Sequence, residues 1–182
     1  IIMYAARLLG TESYGIFTYA MSIAALFAVF SDMGISSILV RELSKNSDKT
    51  KEYFSTAFII KIGFLITTVL LILSIGPFVS KFEASTTLIP IVALSIFFDS
   101  LRSFLYSIPR SKNKMETEAG IGLLNEMFCV ALIIILFLRD PSAQTLVYSF
   151  TIGNGLGLLI ALFTTRKYIV SIHRFFSKTL VI

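Results

Sequence analysis

A single cysteine, a single histidine and no tryptophan stand out in this 182-residue sequence. Cys129 has no second cysteine to pair with, so no disulfide framework holds the chain together. His173 has no cysteine cluster or second histidine around it, so no zinc or haem ligand set assembles, and no cofactor is expected. Charge is scarce too. Only 15% of residues are Asp, Glu, Lys or Arg, where soluble domains carry about 25%. No Walker-type phosphate loop is present and no triad-like grouping of serine, histidine and carboxylate, which argues against ATP hydrolysis and against an enzyme in general. No basic stripe interleaves with exposed aromatics, so nucleic acid is not an expected partner. No charged leader or small-residue cleavage site precedes the apolar run at Ile1, so the chain does not open on a signal peptide. Beginning inside such a run and closing on Leu180-Val181-Ile182, it reads as a piece of a longer protein.

What is abundant is apolar surface: 55% of residues are hydrophobic and the mean hydropathy is +0.84. A lipid bilayer is the solvent such a composition requires. A spanning helix needs about 20 mostly apolar residues. Residues 1–10 are too short and read as the exit half of a first span. Residues 13–31 form a second, with a tight polar elbow at Thr11-Glu12-Ser13-Tyr14-Gly15 between them. Residues 62–80 form a third, its helix starting near Phe54. Residues 88–108, 119–138 and 141–165 form the fourth, fifth and sixth. Pro77, Pro90, Pro109 and Pro141 are each placed within about a turn of a span boundary, where proline is tolerated. The expectation is an all-α, polytopic bundle over residues 1–165, with no strand alternation of the outer-membrane kind. Residues 166–182 follow as a separate segment, either an amphipathic helix on the inner membrane face or the lead-in to a seventh span.

The net charge of +5 is distributed unevenly. Connections after the second, fourth and sixth spans hold Arg41, Lys45, Lys49, Lys51, Arg110, Lys112, Lys114, Arg166, Lys167, Arg174 and Lys178. Those after the first, third and fifth hold only Arg7, Lys81 and Arg139. Basic short loops stay on the cytoplasmic side. The preceding N-terminal part is therefore expected in the cytoplasm and the chain in the inner or plasma membrane.

Ionisable groups at membrane depth are costly and face a bundle interior or a water-filled cavity. Asp32, Lys61, Asp99, Arg102 and Glu126 qualify. At about 1.5 Å per residue, Lys61, Arg102 and Glu126 each sit about 10 Å in from the basic ends of their helices. Ser95, Asp99, Arg102 and Tyr106 fall on one face of the fourth span, and Asp99 meets Arg102 at i, i+3. Asn125 and Asn154 add polar groups from the next two spans. The bland reading stands beside each: a structural Asp99–Arg102 pair, a Lys61 that snorkels to the headgroups, an Asp32 that only marks a helix boundary, asparagines that only link helices. Glu126 is too short to snorkel and is expected to face the interior. Gly153 and Gly157 supply a GxxxG spacing, which allows close helix approach.

The stretch Ala6-Arg7-Leu8-Leu9-Gly10-Thr11-Glu12-Ser13-Tyr14-Gly15-Ile16-Phe17 resembles the first-to-second helix elbow of polysaccharide-biosynthesis membrane proteins, the Wzx-like flippases of lipid-linked oligosaccharides. The resemblance continues through Ser31-Asp32-Met33-Gly34, the Arg41-Glu42 pair and the basic loop Arg110-Ser111-Lys112-Asn113-Lys114-Met115. Its sharpest motif residues are Arg7, Gly10, Gly15, Asp32, Gly34, Arg41 and Glu42. It implies the first lobe of a transporter of 12 to 14 helices from the multidrug/oligosaccharidyl-lipid/polysaccharide exporter superfamily. Such proteins carry undecaprenyl-type lipid-linked glycans across the membrane by alternating access, with cationic cavity residues holding the pyrophosphate and a proton or sodium ion as a coupling partner to be considered. Arg102, Asp99, Glu126, Lys61, Arg7 and Asn154 are the candidate cavity residues. Lys61 and Arg102 lie outside the transferable motifs and rest on the physical argument alone. A drug or cation antiporter of the same superfamily and a non-transporting membrane scaffold are the rival readings.

Overall fold

Residues 2–46, 49–79, 83–113, 115–137 and 140–169 are described in this computed structural model. Among them there is no strand. The helices are α1 (Ile2–Ala28), α2 (Ile35–Lys45), α3 (Thr50–Val79), α4 (Glu83–Leu105), α5 (Ser107–Ser111), α6 (Met115–Phe137) and α7 (Ala143–Ile169), with a 3-10 turn at Val29–Ser31. Five stretches are long and apolar enough to cross a membrane: Leu9–Lys45, Thr50–Phe78, Thr86–Ser111, Glu118–Leu136 and Ala143–Arg166. These correspond to the five full spans read from the sequence. The all-helical architecture is thus the one the composition dictates.

The local details differ in three places. The elbow near the start is one residue, Gly10, where φ is 76° and ψ 170°. Thr11 through Gly15 are already helical, because glycine alone absorbs the turn in a region closed to other residues. Residues 35–45 are not a loop but the amphipathic helix α2, separated from α1 by Met33 and Gly34, both with positive φ. Leu39 and Leu43, one turn apart, bury the apolar side of α2, while Arg41 and Lys45 stay exposed. Pro90 stands well inside α4, which begins at Glu83, rather than near its end. Of the segment 166–182, residues 170–182 lie outside those described, so neither reading of that tail is addressed here.

Helices α4 and α7 form the centre. They share the most extensive packing, and α6 lies against the other side of α7. Their spans are 44% buried, against 22% for the other three. Two cores fill opposite ends of the bundle. Leu39, Phe54, Phe104, Leu105, Ile108 and Leu158 join α2, α3, α4, α5 and α7 at one end. Phe17, Leu88, Val92, Ile133 and Val147 join α1, α4, α6 and α7 at the other. Residues near the end of each rising helix thus pack with residues near the start of each descending one, as an up-and-down bundle requires. The Ser44 hydroxyl donates to the Ser111 carbonyl at 3.3 Å, so the basic ends of α2 and α5 adjoin. Leu26, Leu70, Phe78, Leu123 and Phe163 remain exposed, as lipid-facing side chains should.

Candidate functional site

The charged residues of the membrane interior gather into two connected groups. In the first, Lys61 of α3 is 1% exposed and its Nζ donates to Asp32 Oδ1 at 2.7 Å. Ser36, in the first turn of α2, donates to the same carboxylate oxygen at 2.5 Å. Asp32 sits in the break between α1 and α2, so this pair ties the break to α3. The snorkelling reading of Lys61 is overturned: the ammonium turns inward because a carboxylate is already there. Asp32 does mark a helix boundary, but it also partners a buried cation.

The second group is centred on Arg102 of α4. Its Nη2 donates to Asp99 Oδ1, the i, i+3 pair expected from the sequence. Asn125 of α6 is fully buried, and with its amide oriented to suit its neighbours it accepts from Arg102 Nη1 and donates to the Gly153 carbonyl of α7, each at 2.9 Å. One guanidinium thereby bridges α4 and α6, with α7 one bond further on. The guanidinium carbon also lies 5.7 Å from the centre of the Tyr106 ring. The two groups communicate: Ser31 and Ser100 hydroxyls hydrogen-bond at 2.7 Å, and the Asp99 carboxylate acts on Lys61 electrostatically.

The GxxxG spacing explains how α6 comes so close. A Cβ at Gly153 would lie 2.2 Å from Cys129 Sγ, and one at Gly157 would lie 2.0 Å from the Asn125 side-chain amide and 3.2 Å from Arg102 Cδ. These glycines make room for the polar contact as well as for packing. Further along, the Asn154 amide donates to Ser95 Oγ at 3.1 Å, joining α7 to the buried start of the α4 stripe.

Beside this network an open cleft of about 780 Å³ runs between α2, α4 and α5 on one side and α6 on the other. Arg102, Tyr106, Arg110, Asn113, Glu118 and Glu126 line it, with Val40, Ser44 and Ala119 at its walls. Arg110 engages Glu118 with two donors, Nε at 2.7 Å and Nη2 alongside. Four buried donors have no hydrogen-bond partner among the described residues, Arg102 Nε and the hydroxyls of Tyr106, Thr56 and Ser107, and of these Arg102 and Tyr106 line the cleft. Glu126 is exposed in the cleft and forms no ion pair among the described residues.

Of the expected site residues, Arg102 and Glu126 line the cleft, Asp99 is tied to it by its pair with Arg102, and Lys61 joins them only through Asp99. Asn154 serves the adjoining α4–α7 seam. Arg7 is exposed on α1 and lies outside the cleft. Of the motif residues, Gly10 and Gly34 are the two glycines with positive φ, Gly15 is helical, and Arg41 pairs with the adjacent Glu42 at 3.2 Å on the surface. Sequence reasoning missed the Arg110–Glu118 pair. Its only signal was an acidic residue eight positions on, across a turn made by Asn113 at φ 54°. It also missed the link between Arg102 and Asn125, whose partners come from different helices.

Comparison with known proteins adds the family. No curated protein and no solved structure gives a significant match. The profile of the family described as polysaccharide biosynthesis protein matches residues 1–181, nearly the whole chain. With the elbow at Gly10, the break at Gly34 and five apolar helices in place, this chain belongs to the polysaccharide biosynthesis protein family.

Proposed function

We propose that the chain is the first lobe of a flippase that moves lipid-linked polysaccharide precursors across the cell membrane by alternating access. The observation that carries this reading is a charged, open cleft sunk into an otherwise apolar helical bundle. A scaffold gains a helix link from Arg102 and its partners, but nothing from placing Glu126 in the cleft without an ion pair among the described residues. A molecule with a large hydrophilic part does need such a surface to cross hydrocarbon. Family membership favours a polysaccharide precursor over the drugs and cations of related antiporters. In this reading the chain acts by binding and conformational change.

In this reading the end of the bundle bearing Arg41, Lys45 and Arg110 faces the cytoplasm, as the positive-inside rule directs, and the cleft opens to the side where precursors are assembled. Arg102 is the residue on which transport depends most. Its planar fork reaches Asp99 and Asn125 together, which a lysine cannot reproduce. Surface glycan display tests this, in cells lacking the native gene and carrying the full-length protein. Arg102→Ala should abolish display at a normal membrane level of protein, and Arg102→Lys should retain part of it. Normal display with Arg102→Ala would remove the cleft from the mechanism.

A further inference from the structure

We propose that the cleft between α4–α5 and α6 is a saccharide subsite: it takes the neutral, hydroxyl-bearing sugar part of the transported molecule, not its charged linkage. This rests on the transport reading above and specifies which part of the substrate the cleft holds.

The charge of the cleft decides between the two. Its lining contributes two cations, Arg102 and Arg110, and two carboxylates, Glu118 and Glu126. With Asp99, which pairs with Arg102 at the edge, two cations stand against three carboxylates around the cleft. Both guanidinium groups are engaged, Arg102 by Asp99 and Asn125 and Arg110 by two bonds to Glu118. A diphosphate entering here would have to displace carboxylates from their cations and then face Glu126, which carries an unpaired charge of its own sign. Charge at low dielectric is tolerated only when paired and hydrogen-bonded.

A sugar fits the same surface without displacing anything. Each hydroxyl is one donor and two acceptors. Glu126 and the outer lone pairs of Glu118 accept. Arg102 Nε and the Tyr106 hydroxyl have no acceptor among the described residues, since the neighbouring guanidinium can only donate to the hydroxyl, and both are left to donate. Tyr106 is 7% exposed, so an unmade bond at its hydroxyl is costly, and a small turn of the ring toward the cleft brings it to a ligand oxygen at the floor. The Asn113 amide at the rim offers both kinds of group. Hydrogen bonds to charged partners are the strong ones. The space, about 780 Å³, is within the range of small-molecule sites, about 300–1,000 Å³.

The experiment uses the full-length protein in lipid nanodiscs with Cys129→Ala and Ala119→Cys, a cysteine placed on the cleft wall. Val40→Cys on the opposite wall serves as a second reporter. Both are checked first for surface glycan display. Maleimide labelling is measured with two probes: the oligosaccharide released by mild acid from the host's own lipid-linked precursor, and inorganic pyrophosphate. The oligosaccharide should slow labelling at least fivefold, and pyrophosphate should leave it unchanged. Glu126→Gln should raise the oligosaccharide concentration for half-protection about tenfold, the loss of one charge-assisted hydrogen bond. Protection by pyrophosphate, with or without protection by the oligosaccharide, overturns the saccharide assignment and leaves the transport reading standing. Protection by neither probe at either reporter overturns the cleft as the place where the sugar is held. Surface glycan display by the full-length protein is scored separately from labelling and reports on transport whichever probe protects.

Discussion

Asp32→Asn should unfold the protein more easily than any other single change in the first charged group, because of where it leaves Lys61. The ammonium is 1% exposed and 2.7 Å from the Asp32 carboxylate. At that distance the attraction is roughly 6 kcal/mol for an effective dielectric constant of about 20. Removing the carboxylate charge leaves the buried cation with only the more distant Asp99, and because Asp32 is itself 36% exposed the loss is at the low end for a broken buried pair, about 3 kcal/mol. Ser36 also loses its charged acceptor. The remedy is to remove the cation as well. A buried ion pair replaced by apolar groups of similar volume is neutral or stabilising, so Asp32→Asn with Lys61→Met should recover most of the loss. Cys129 provides the assay, since it is buried in the folded protein. Its reaction with a fluorogenic maleimide on heating in detergent reports unfolding. Asp32→Asn should lower the midpoint by on the order of 10 °C, and the double variant should melt close to the parent. Two results would refute the reasoning: an unchanged midpoint for Asp32→Asn, or a double variant as unstable as the two singles added together.

Three further outcomes are expected. Gly153→Ala should cost about 1–3 kcal/mol by overpacking against Cys129 Sγ, and Gly153→Ala with Cys129→Ala should cost less than the two singles together; light scattering on heating measures both, and strict additivity would mean α6 and α7 are not in contact there. Cysteines at Lys49 and Lys112 should label from the cytoplasmic side and one at Asp140 from outside, with the reverse pattern overturning the orientation. Asn154→Ala should cost only about 0.6 kcal/mol, the mean for a hydrogen bond between membrane helices, and a loss several times larger in the same melts would give Asn154 a role beyond its bond to Ser95.

The spans were legible because bilayer thickness sets their length and lipid sets their composition, both of which act on contiguous sequence. The Asp99–Arg102 pair was legible for the same reason, since helix geometry alone brings i and i+3 together. Helix α2 was not. Eleven residues of mixed polarity carry no spanning signal, and its two buried leucines are a weak one. Lys61 was misjudged because its depth was taken from its own helix. What fixes its side chain is Asp32, twenty-nine positions earlier, which a break between two helices delivers to α3. The cleft was legible only in part: Arg102 and Glu126 were singled out by depth, whereas Arg110 was read as part of a basic loop and Glu118 was not singled out, and the two meet only when α5 folds back.

The separation of roles between apolar and polar residues follows from the solvent. Between helices in a bilayer the hydrophobic effect supplies no attraction, since lipid tails are as apolar as leucine side chains. Leu26, Leu70 and Leu123 are therefore indifferent to facing lipid or a neighbour. What fixes which helices adjoin, and at what height, is the set of contacts lipid cannot replace. Five seams have one: Lys61–Asp32 for α3 against the α1–α2 break, Ser31–Ser100 for that break against α4, Arg102–Asn125 for α4 against α6, Asn125–Gly153 for α6 against α7, and Asn154–Ser95 for α7 against α4. The glycines at 153 and 157 let two of these form at hydrogen-bonding distance. Arg102 belongs to both this set and the cleft. A ligand that draws on its Nε acts on the residue that also sets the spacing of α4 and α6, and this gives the lobe a physical route from occupancy of the cleft to movement of its helices.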